Sequence, residues 1–357
     1  MSVLFPPRLA PGDVIGVTAP SSGVPEHLHP RLELAIKNLK KRGYQVREGR
    51  CLRSQYKNKS ATKFSRVEEL MSYLTDPDIK AVMPPWGGDL AMELLDEKIC
   101  HRILFIHNPF YTLLADKLLV RQYVEKRTNL IKLIPLVGVY NRVDDIDFDK
   151  LPSKFVLKCN HDSGSAVICT DKTNIDPAKV KSKLKLSLKK NMYYTTREWQ
   201  YKNIPPVILC EMYLDLFSSK HRNITPEMIR IHCFHGVACF IEADFTDSDG
   251  NEFINVYDRA WNLQPFQMEY PNTPLPVDEP ESFHKSVIAA QDLAKEIDYC
   301  RVDLMLKGDD IYFSEITLSP KRGKLKITPS IWDAKLGSMW DLSLAKTGSI
   351  EPVYSCP

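Results

Sequence analysis

Within RVDLMLKGDDIYFSEIT, residues 301–317, three charged side chains stand where burial is expected. Val302, Leu304 and Leu306 alternate with Arg301, Asp303 and Met305, and the run from Ile311 to Ile316 is mostly β-branched or aromatic. Lys-Gly-Asp-Asp between the two runs is turn chemistry, so the segment reads as a hairpin. A charge held in such a hairpin is costly unless it is paired or bound to metal. Arg301, Asp303 and Glu315 are therefore candidates for chemistry. A second candidate lies in FVLKCNHDSGSAVICT, residues 155–170. Lys158 sits inside an apolar strand and calls for an anionic partner. The tip that follows, Asn160 to Ser165, is small and contains glycine, so it can lay backbone N–H groups on a phosphate chain. An ordinary tight hairpin would share that tip; Lys158 tilts the reading towards phosphate.

The elements that must position these groups fall into two styles. In the first hundred residues strands and helices alternate: Val14 to Val17, the helical stretch HPRLELAIKNLKKRGYQV, the strand YQVRE, the helix SRVEELMSYLTD, the strand IKAVMPP, and a glycine turn into GGDLAMELLD. Such alternation makes a parallel sheet with crossover helices. Gly87 and Gly88 fall at the carboxyl end of a strand, where such sheets bind ligands, although close strand–helix packing explains them equally well. From about residue 104 the pattern changes. NPFYTLLADKLLVRQYVEKR reads as one helical stretch, NLIKLIPLVGVY as a strand pair or a strand bulged at Gly138, and IPPVILCEMYL as a strand running into Glu211 and Tyr213. IRIHCFHGVACFIEAD is a strand-turn-strand with Arg230 at its start, and PESFHKSVIAAQDLAKEI is an amphipathic helix leading to the 301–317 hairpin. The lysine-rich run 179–190 reads as the solvated face of a helix. His161 reads as a hydrogen-bonded loop histidine, Asp258 as a strand-end cap, and Trp261 as cover for the core.

Composition narrows the classes. The 357 residues carry 48 basic and 45 acidic side chains, net +3, which is no nucleic-acid signature. The amino terminus lacks a signal pattern and no apolar run is long enough to span a bilayer, so membrane insertion is not expected. Nine cysteines, never spaced Cys-x-x-Cys, point to reduced thiols and a cytoplasmic protein. A homodimer stays open.

Two resemblances give this order of elements a meaning. FPPRLAPGDVIGVTAPSS, RVEELMSYLTDPDIKAVMPPWGG and AMELL, over about 4–98, resemble the amino-terminal domain of the LD-carboxypeptidase and microcin-immunity serine peptidases. That family carries its nucleophile in a Gly-Tyr/Phe-Ser-Asp elbow just downstream. Here the chain reads HRILFIHNPFYTLLADK instead, and the domain that supplies the Glu and His partners is missing, so peptidase activity is not expected. From about 110 to 342, ADKLLVRQYV, FDKLPSKFVLKCNHDSGS, PPVILCEMYL, CFHG, VYDRAWN, RVDLMLKGDDIYFSEIT and ITPSIWDAKLG resemble, in order, the TupA-like (teichuronopeptide-biosynthesis type) branch of the ATP-grasp superfamily. The fold expected is thus an α/β amino-terminal domain with a parallel sheet (1–100), followed by an α+β ATP-grasp fold (101–345) and a tail (346–357).

The ATP-grasp resemblance implies ATP and Mg²⁺ as cofactors and assigns roles. Lys117 and Lys158 would contact the nucleotide and its phosphates. Ser163, Gly164 and Ser165 would cover the phosphates, and Glu211 through Tyr213 would form the hinge that reads adenine. Asp303 and Glu315 would hold the metal, with Thr317 offering an oxygen where the superfamily commonly has Asn. Arg301 would stabilise charge on the transferring phosphoryl group, and Arg230 stands where the branch usually has lysine. An acidic residue usual near the start of the CFHG strand is replaced by an apolar one, Met228 or Ile229. The implied reaction is carboxylate–amine ligation through an acyl phosphate, in cell-envelope or polysaccharide and peptide polymer biosynthesis, on small-molecule or polymer substrates. The rival readings are a non-catalytic nucleotide- or glycan-binding module built on a decayed peptidase fusion, and a peptidase or amidase completed by a partner chain. One geometric condition is explicit. Arg301, Asp303 and Glu315 share a face only if the turn has an odd number of residues. That predicts the three-residue loop Lys307–Asp309, with Asp303 opposite Phe313 and Arg301 opposite Glu315.

Overall fold

The computed structural model describes residues 8–55, 59–85, 94–216, 226–247, 249–274 and 277–342. Gly87, Gly88 and the 346–357 tail lie outside them. The chain divides into two compact units, Met1–Glu93 and Leu94–Pro357.

In the first unit, β1 (Val14–Val17) pairs in parallel with both β2 (Gln45–Glu48) and β3 (Ile79–Met83), giving the order β2-β1-β3. The crossovers are α1 (His29–Lys41) and α2 (Lys63–Thr75). Leu32 and Ile36, one turn apart on α1, pack on Ile15 and Val17 of the central strand. Thr62 caps α2 by accepting the Ser65 amide at 3.2 Å. This is the parallel α/β sheet that the alternation of elements calls for.

The second unit opens with α3 (Leu95–Phe105), α4 (Pro109–Ala115) and α5 (Val120–Arg127). The single helix read over 108–127 is in fact two. Asp116 turns the chain: its Oδ1 accepts the amides of Leu118 and Leu119 at 2.8 and 3.3 Å, which ends α4 and starts α5. Two sheets follow. The smaller is antiparallel, ordered β5-β8-β6-β7 from Leu136–Tyr140, Ile208–Met212, Phe155–Cys159 and Val167–Cys169, with β4 (Lys132–Leu133) preceding it in sequence. The register of β5 slips between Leu136 and Gly138, which is the bulge expected there. Phe155, Leu157, Cys159, Ile208 and Cys210 face α6 (Pro177–Leu188), so Val156, Lys158, Leu209 and Glu211 share the opposite face. The lysines of α6 at 179, 183 and 185 are exposed, as the solvated-face reading expects. A short helix, α7 (Met192–Thr196), leads back to β8.

The larger sheet runs β11-β10-β9-β13-β14-β4. Its strands are β9 (Met228–Phe234), β10 (Val237–Thr246), β11 (Glu252–Tyr257), β13 (Tyr299–Lys307) and β14 (Asp310–Thr317). The short strands β12 (Gln267–Met268) and β15 (Ile327–Thr328) pair separately, and α9 (Ile331–Gly337) closes the described fold. One face of the sheet, with Ile229, Ile231, Ile241, Val302, Leu304 and Ile316, packs on α8 (Phe283–Ala294), α4 and α5.

The 301–317 hairpin differs from expectation in a way that matters. Its loop has two residues: Lys307 pairs with Asp310, and Gly308 takes φ +58 at the first turn position, where a type II′ turn calls for glycine. A regular ladder from that turn would place Glu315 on the apolar face. Instead the register shifts after Leu304↔Phe313, Ser314 is left over as a bulge, and Asp303 pairs with Glu315 and Arg301 with Thr317. The parity lost in the turn is regained in the bulge, so Arg301, Asp303, Glu315 and Thr317 do share a face. The partners differ from those expected.

Candidate active site

On that face the larger sheet is a row of charges. Register places Arg230 of β9 between Asp303 of β13 and Glu242 of β10, and His232 between Arg301 and Phe240. Arg301, 8% exposed, donates from Nε and Nη2 to the two oxygens of Asp303, each at 2.8 Å. Its Nη1 lies 3.8 Å from Glu242, whose Oε1 also meets His232 Nε2 at 2.5 Å. The other His232 nitrogen is 3.0 Å from the Tyr299 hydroxyl. Arg230 pairs closely with Asp244 and lies 3.7 Å from Glu242.

The electrostatics follow from burial and pairing. Burial works against the charge on Arg301, but Asp303 and Glu242 outweigh it and hold the guanidinium above its ordinary value. Burial likewise opposes ionisation of Glu242, yet His232, Arg301 and Arg230 bring it down to about 2. Burial pushes Asp244 up to about 7 against the pull of Arg230, with Glu242 and Asp303 adding to the rise. Burial also raises Asp303, opposed by Arg301 and reinforced by Glu315. Burial holds His232 below its ordinary value, against the opposing pull of Glu242. Two arginines thus face four carboxylates, an excess of negative charge that suits a divalent cation.

Asp303 and Glu315 are brought together through Thr317, whose Oγ1 is 3.4 Å from Asp303 Oδ2 and 3.2 Å from Glu315 Oε1. These hard oxygen donors fit Mg²⁺, which takes few carboxylates and keeps waters or substrate phosphates. Among the described residues no group of three or more acid, histidine or cysteine side chains forms a complete metal cage.

The other sheet supplies cations. Lys158 of β6 pairs with Glu211 of β8 at 2.6 Å, and Arg121 of α5 reaches the same carboxylate at 3.2 Å. Lys117, in the Asp116 turn, donates from Nζ to the Asp162 carbonyl at 2.5 Å, so its head lies against the hairpin tip. Burial pulls Lys117 below its ordinary value; Glu315 opposes the shift and Lys158 adds to it. Lys117 therefore feels charges of both sheets. The turn is fixed by Asn160, whose Nδ2 donates to Asp116 and to the Pro205 carbonyl, both at 3.0 Å.

The tip residues separate. Ser163 and Gly164 are exposed, and Gly164, at φ +93, has open space around its Cα. Ser165 is buried and turned inward. It accepts the Cys159 amide at 2.9 Å and donates to Asp162 at 2.5 Å, so it shapes the tip rather than facing a ligand. His161 is the loop histidine expected, 3.0 Å from the Lys190 carbonyl. Glu211 is in an inner strand of its sheet and the Met212 amide donates to the Pro135 carbonyl, so only Tyr213, beyond the strand end, lies outside the ladder. Asp258 caps a turn by accepting the amides of Ala260 and Asn262, and Trp261 donates to the Val277 carbonyl over the core.

Glu242, Asp244 and His232 were not singled out in the sequence. Their signal was the alternation of Glu242 and Asp244 one hairpin away from Arg230. In the first unit a cavity of about 380 Å³ opens beside α1, with Leu32, Ile36, Leu39 and Met83 in its wall.

The profile of the TupA-like ATP-grasp family matches residues 97–340. The chain belongs to that family. The described second unit is accordingly an ATP-grasp fold, and the LD-carboxypeptidase N-terminal domain matches residues 15–108. A putative carboxypeptidase of Vibrio cholerae is 31% identical over 93 residues, 26% of this chain and 28% of that protein. The chain thus spans less than a third of the curated relative it matches. Among solved structures, D-alanine–D-alanine ligase of Bacillus anthracis complexed with ATP aligns over 92% of this chain and 95% of its own, at 17% identity and TM-score 0.37. The microcin C7 self-immunity protein aligns over 43% and 52%, at 20% identity and TM-score 0.24. Among the described residues no helix is long and apolar enough to cross a membrane.

Proposed function

We propose that the second unit is an ATP-dependent carboxylate–amine ligase working through an acyl phosphate, with an amino acid or peptide joined to a sugar acid or glutamyl chain as the leading substrate class. The observation that carries this reading is the place of Lys117, whose head lies against the hairpin tip and feels both Lys158 of the smaller sheet and Glu315 of the larger one. Lys117 and Lys158 would bind the nucleotide phosphates, with Ser163 and Gly164 covering them and Tyr213 at the hinge. Asp303 and Glu315, with Thr317 between them, would hold Mg²⁺, which when bound neutralises phosphate charge. Arg301 fixes Asp303 with a two-pronged contact, and Arg230 adds positive charge on the same face. Positioning and charge neutralisation of this kind are what phosphoryl transfer requires of a protein.

The test is thermal melting with and without Mg·ATP, for wild type and Glu315→Gln. Ligand at about 100 times its Kd adds roughly 2.7 kcal/mol, a rise on the order of 5–10 °C for a unit this size. The reading expects that rise in wild type and its near loss in the variant. No rise in either favours the non-catalytic module, for which the pairing of Lys158 with Glu211 is the supporting observation.

A further inference from the structure

Glu198 is the buried carboxylate of the second unit that the ligase reading leaves without a task. It is 5% exposed and follows α7 in the segment EWQY, residues 198–201. Its neighbours are neutral donors: Gln200 Nε2 at 3.3 Å and the hydroxyls of Thr196 and Ser319. Asp298, Glu211, Glu242 and Asp303 are as deeply buried, and each faces a cation: Arg102, Lys158, Arg301 and Arg301 respectively. Asp116 and Asp162 instead accept neutral donors in the turn and the tip that they shape. No basic side chain among the described residues pairs with Glu198; the Arg322 charge acts on it from an exposed position. A carboxylate left in this state is costly to ionise. Burial accordingly pushes Glu198 up to about 6, with Glu315 adding to the rise.

Position argues for a ligand rather than a defect. Glu198 and Tyr201 both feel the charge of Glu315, and Tyr201 feels Asp162 at the hairpin tip as well. Gln200 Nε2 donates at 3.1 Å to Ser319, two residues beyond Thr317. The segment is anchored on several sides. The Trp199 ring stacks on His107 at 4.1 Å with Lys202 4.4 Å from its centroid, and Asn191 Nδ2 donates to the Lys202 carbonyl at 2.9 Å. A fixed, buried carboxylate with no ion-pair partner among the described residues, hydrogen-bonded to the strand end that carries Thr317, matches a primary ammonium.

We propose that Glu198, with Tyr201 beside it, receives the ammonium group of the amine substrate. The proposal rests on the ligase reading above, and its test keeps the two apart. Full-length wild type and Glu198→Gln are melted with Mg²⁺ and a non-hydrolysable ATP analogue. Each of the common amino acids, ethanolamine and glucosamine is then added, beside its N-acetylated counterpart. The nucleotide-dependent rise is expected in both proteins, which also shows that the variant is folded. In wild type at least one free amine is expected to add about 2–4 °C, its N-acetyl form nothing, and Glu198→Gln to lose that increment. An amine increment equal in both proteins, one shared by the N-acetyl form, or none in wild type overturns the assignment. If the nucleotide itself gives no rise in wild type, the ligase reading fails first.

Discussion

Arg301 spends most of its guanidinium on a residue two positions along its own strand. The parallel contacts to the two oxygens of Asp303 use the planar fork, and the third nitrogen turns to Glu242. Lysine carries the same charge and lacks the fork. If the fork is what holds Asp303 in place, Arg301→Lys and Arg301→Gln lower ADP release alike, by about 10²–10³, the scale of losing one preorganised donor. If charge alone matters, lysine recovers most of the rate. Steady-state ADP release, measured across a panel of amino acids, sugar acids and glutamyl peptides, decides between them. These side chains were legible because a charge in an alternating apolar strand is an anomaly with few physical remedies. Glu242, Asp244, His232 and Glu198 were not: each is acidic or titratable in a segment whose periodicity tolerates it, and only register or loop packing brings it to the site.

At the level of the element, the site depends on how one residue that does no chemistry is accommodated. With a two-residue turn, a regular ladder would set Glu315 opposite Val302, on the face that packs against α8. Ser314, bulged, moves Glu315 opposite Asp303 and returns Ile316, 4% exposed, to the apolar side. The composition of the turn did not reveal this, because a bulge and an odd loop give the same parity and leave the same alternation in sequence. The side chain of Ser314 is dispensable in this account, and so is its backbone unit, because the residue only has to stay out of the ladder. Ser314→Ala is expected to change stability by no more than about 0.5 kcal/mol. Deleting Ser314 leaves a regular two-residue hairpin in which Glu315 still faces Asp303 and Ile316 still faces Val302, so the fold is expected to survive at a cost of about 0.5–3 kcal/mol. Urea denaturation of the two variants measures both. A loss beyond about 4 kcal/mol on deletion would mean that the local twist of the bulge itself holds the strand in place.

Across the whole molecule, both sheets and their charges belong to one unit, and its first helix, α3, is part of the machinery that holds it. The change of sequence style near residue 104 suggested a boundary at 100, because the apolar spacing of α3 looks the same whichever core it serves. The contacts of α3 decide. Leu95, Ile99 and Ile103 are buried in a cluster with Tyr299, Leu336 and Trp340. Arg102, 1% exposed, donates to the carbonyls of Tyr299 and Leu318 at 2.7 and 2.8 Å and to Asp298 at 2.6 Å. Tyr111 and Trp340 complete the Asp298 carboxylate at 2.6 and 2.9 Å, and burial, which opposes its charge, is outweighed by Arg102 and these donors, so Asp298 stays below its ordinary value. Removing α3 would strip three buried aliphatic side chains, at about 2–5 kcal/mol each even when merely truncated, and leave Asp298 buried without its cation. That loss is on the order of the whole stability of a domain, about 5–15 kcal/mol. A chain of residues 94–357 is therefore expected to melt cooperatively and keep the Mg·ATP-dependent rise, whereas one beginning at residue 106 is expected to show no cooperative transition. Calorimetry of both chains tests this. A cooperative melt in the shorter chain would make α3 an appendage, and would assign the Asp298 cluster a role other than holding the ligase fold together.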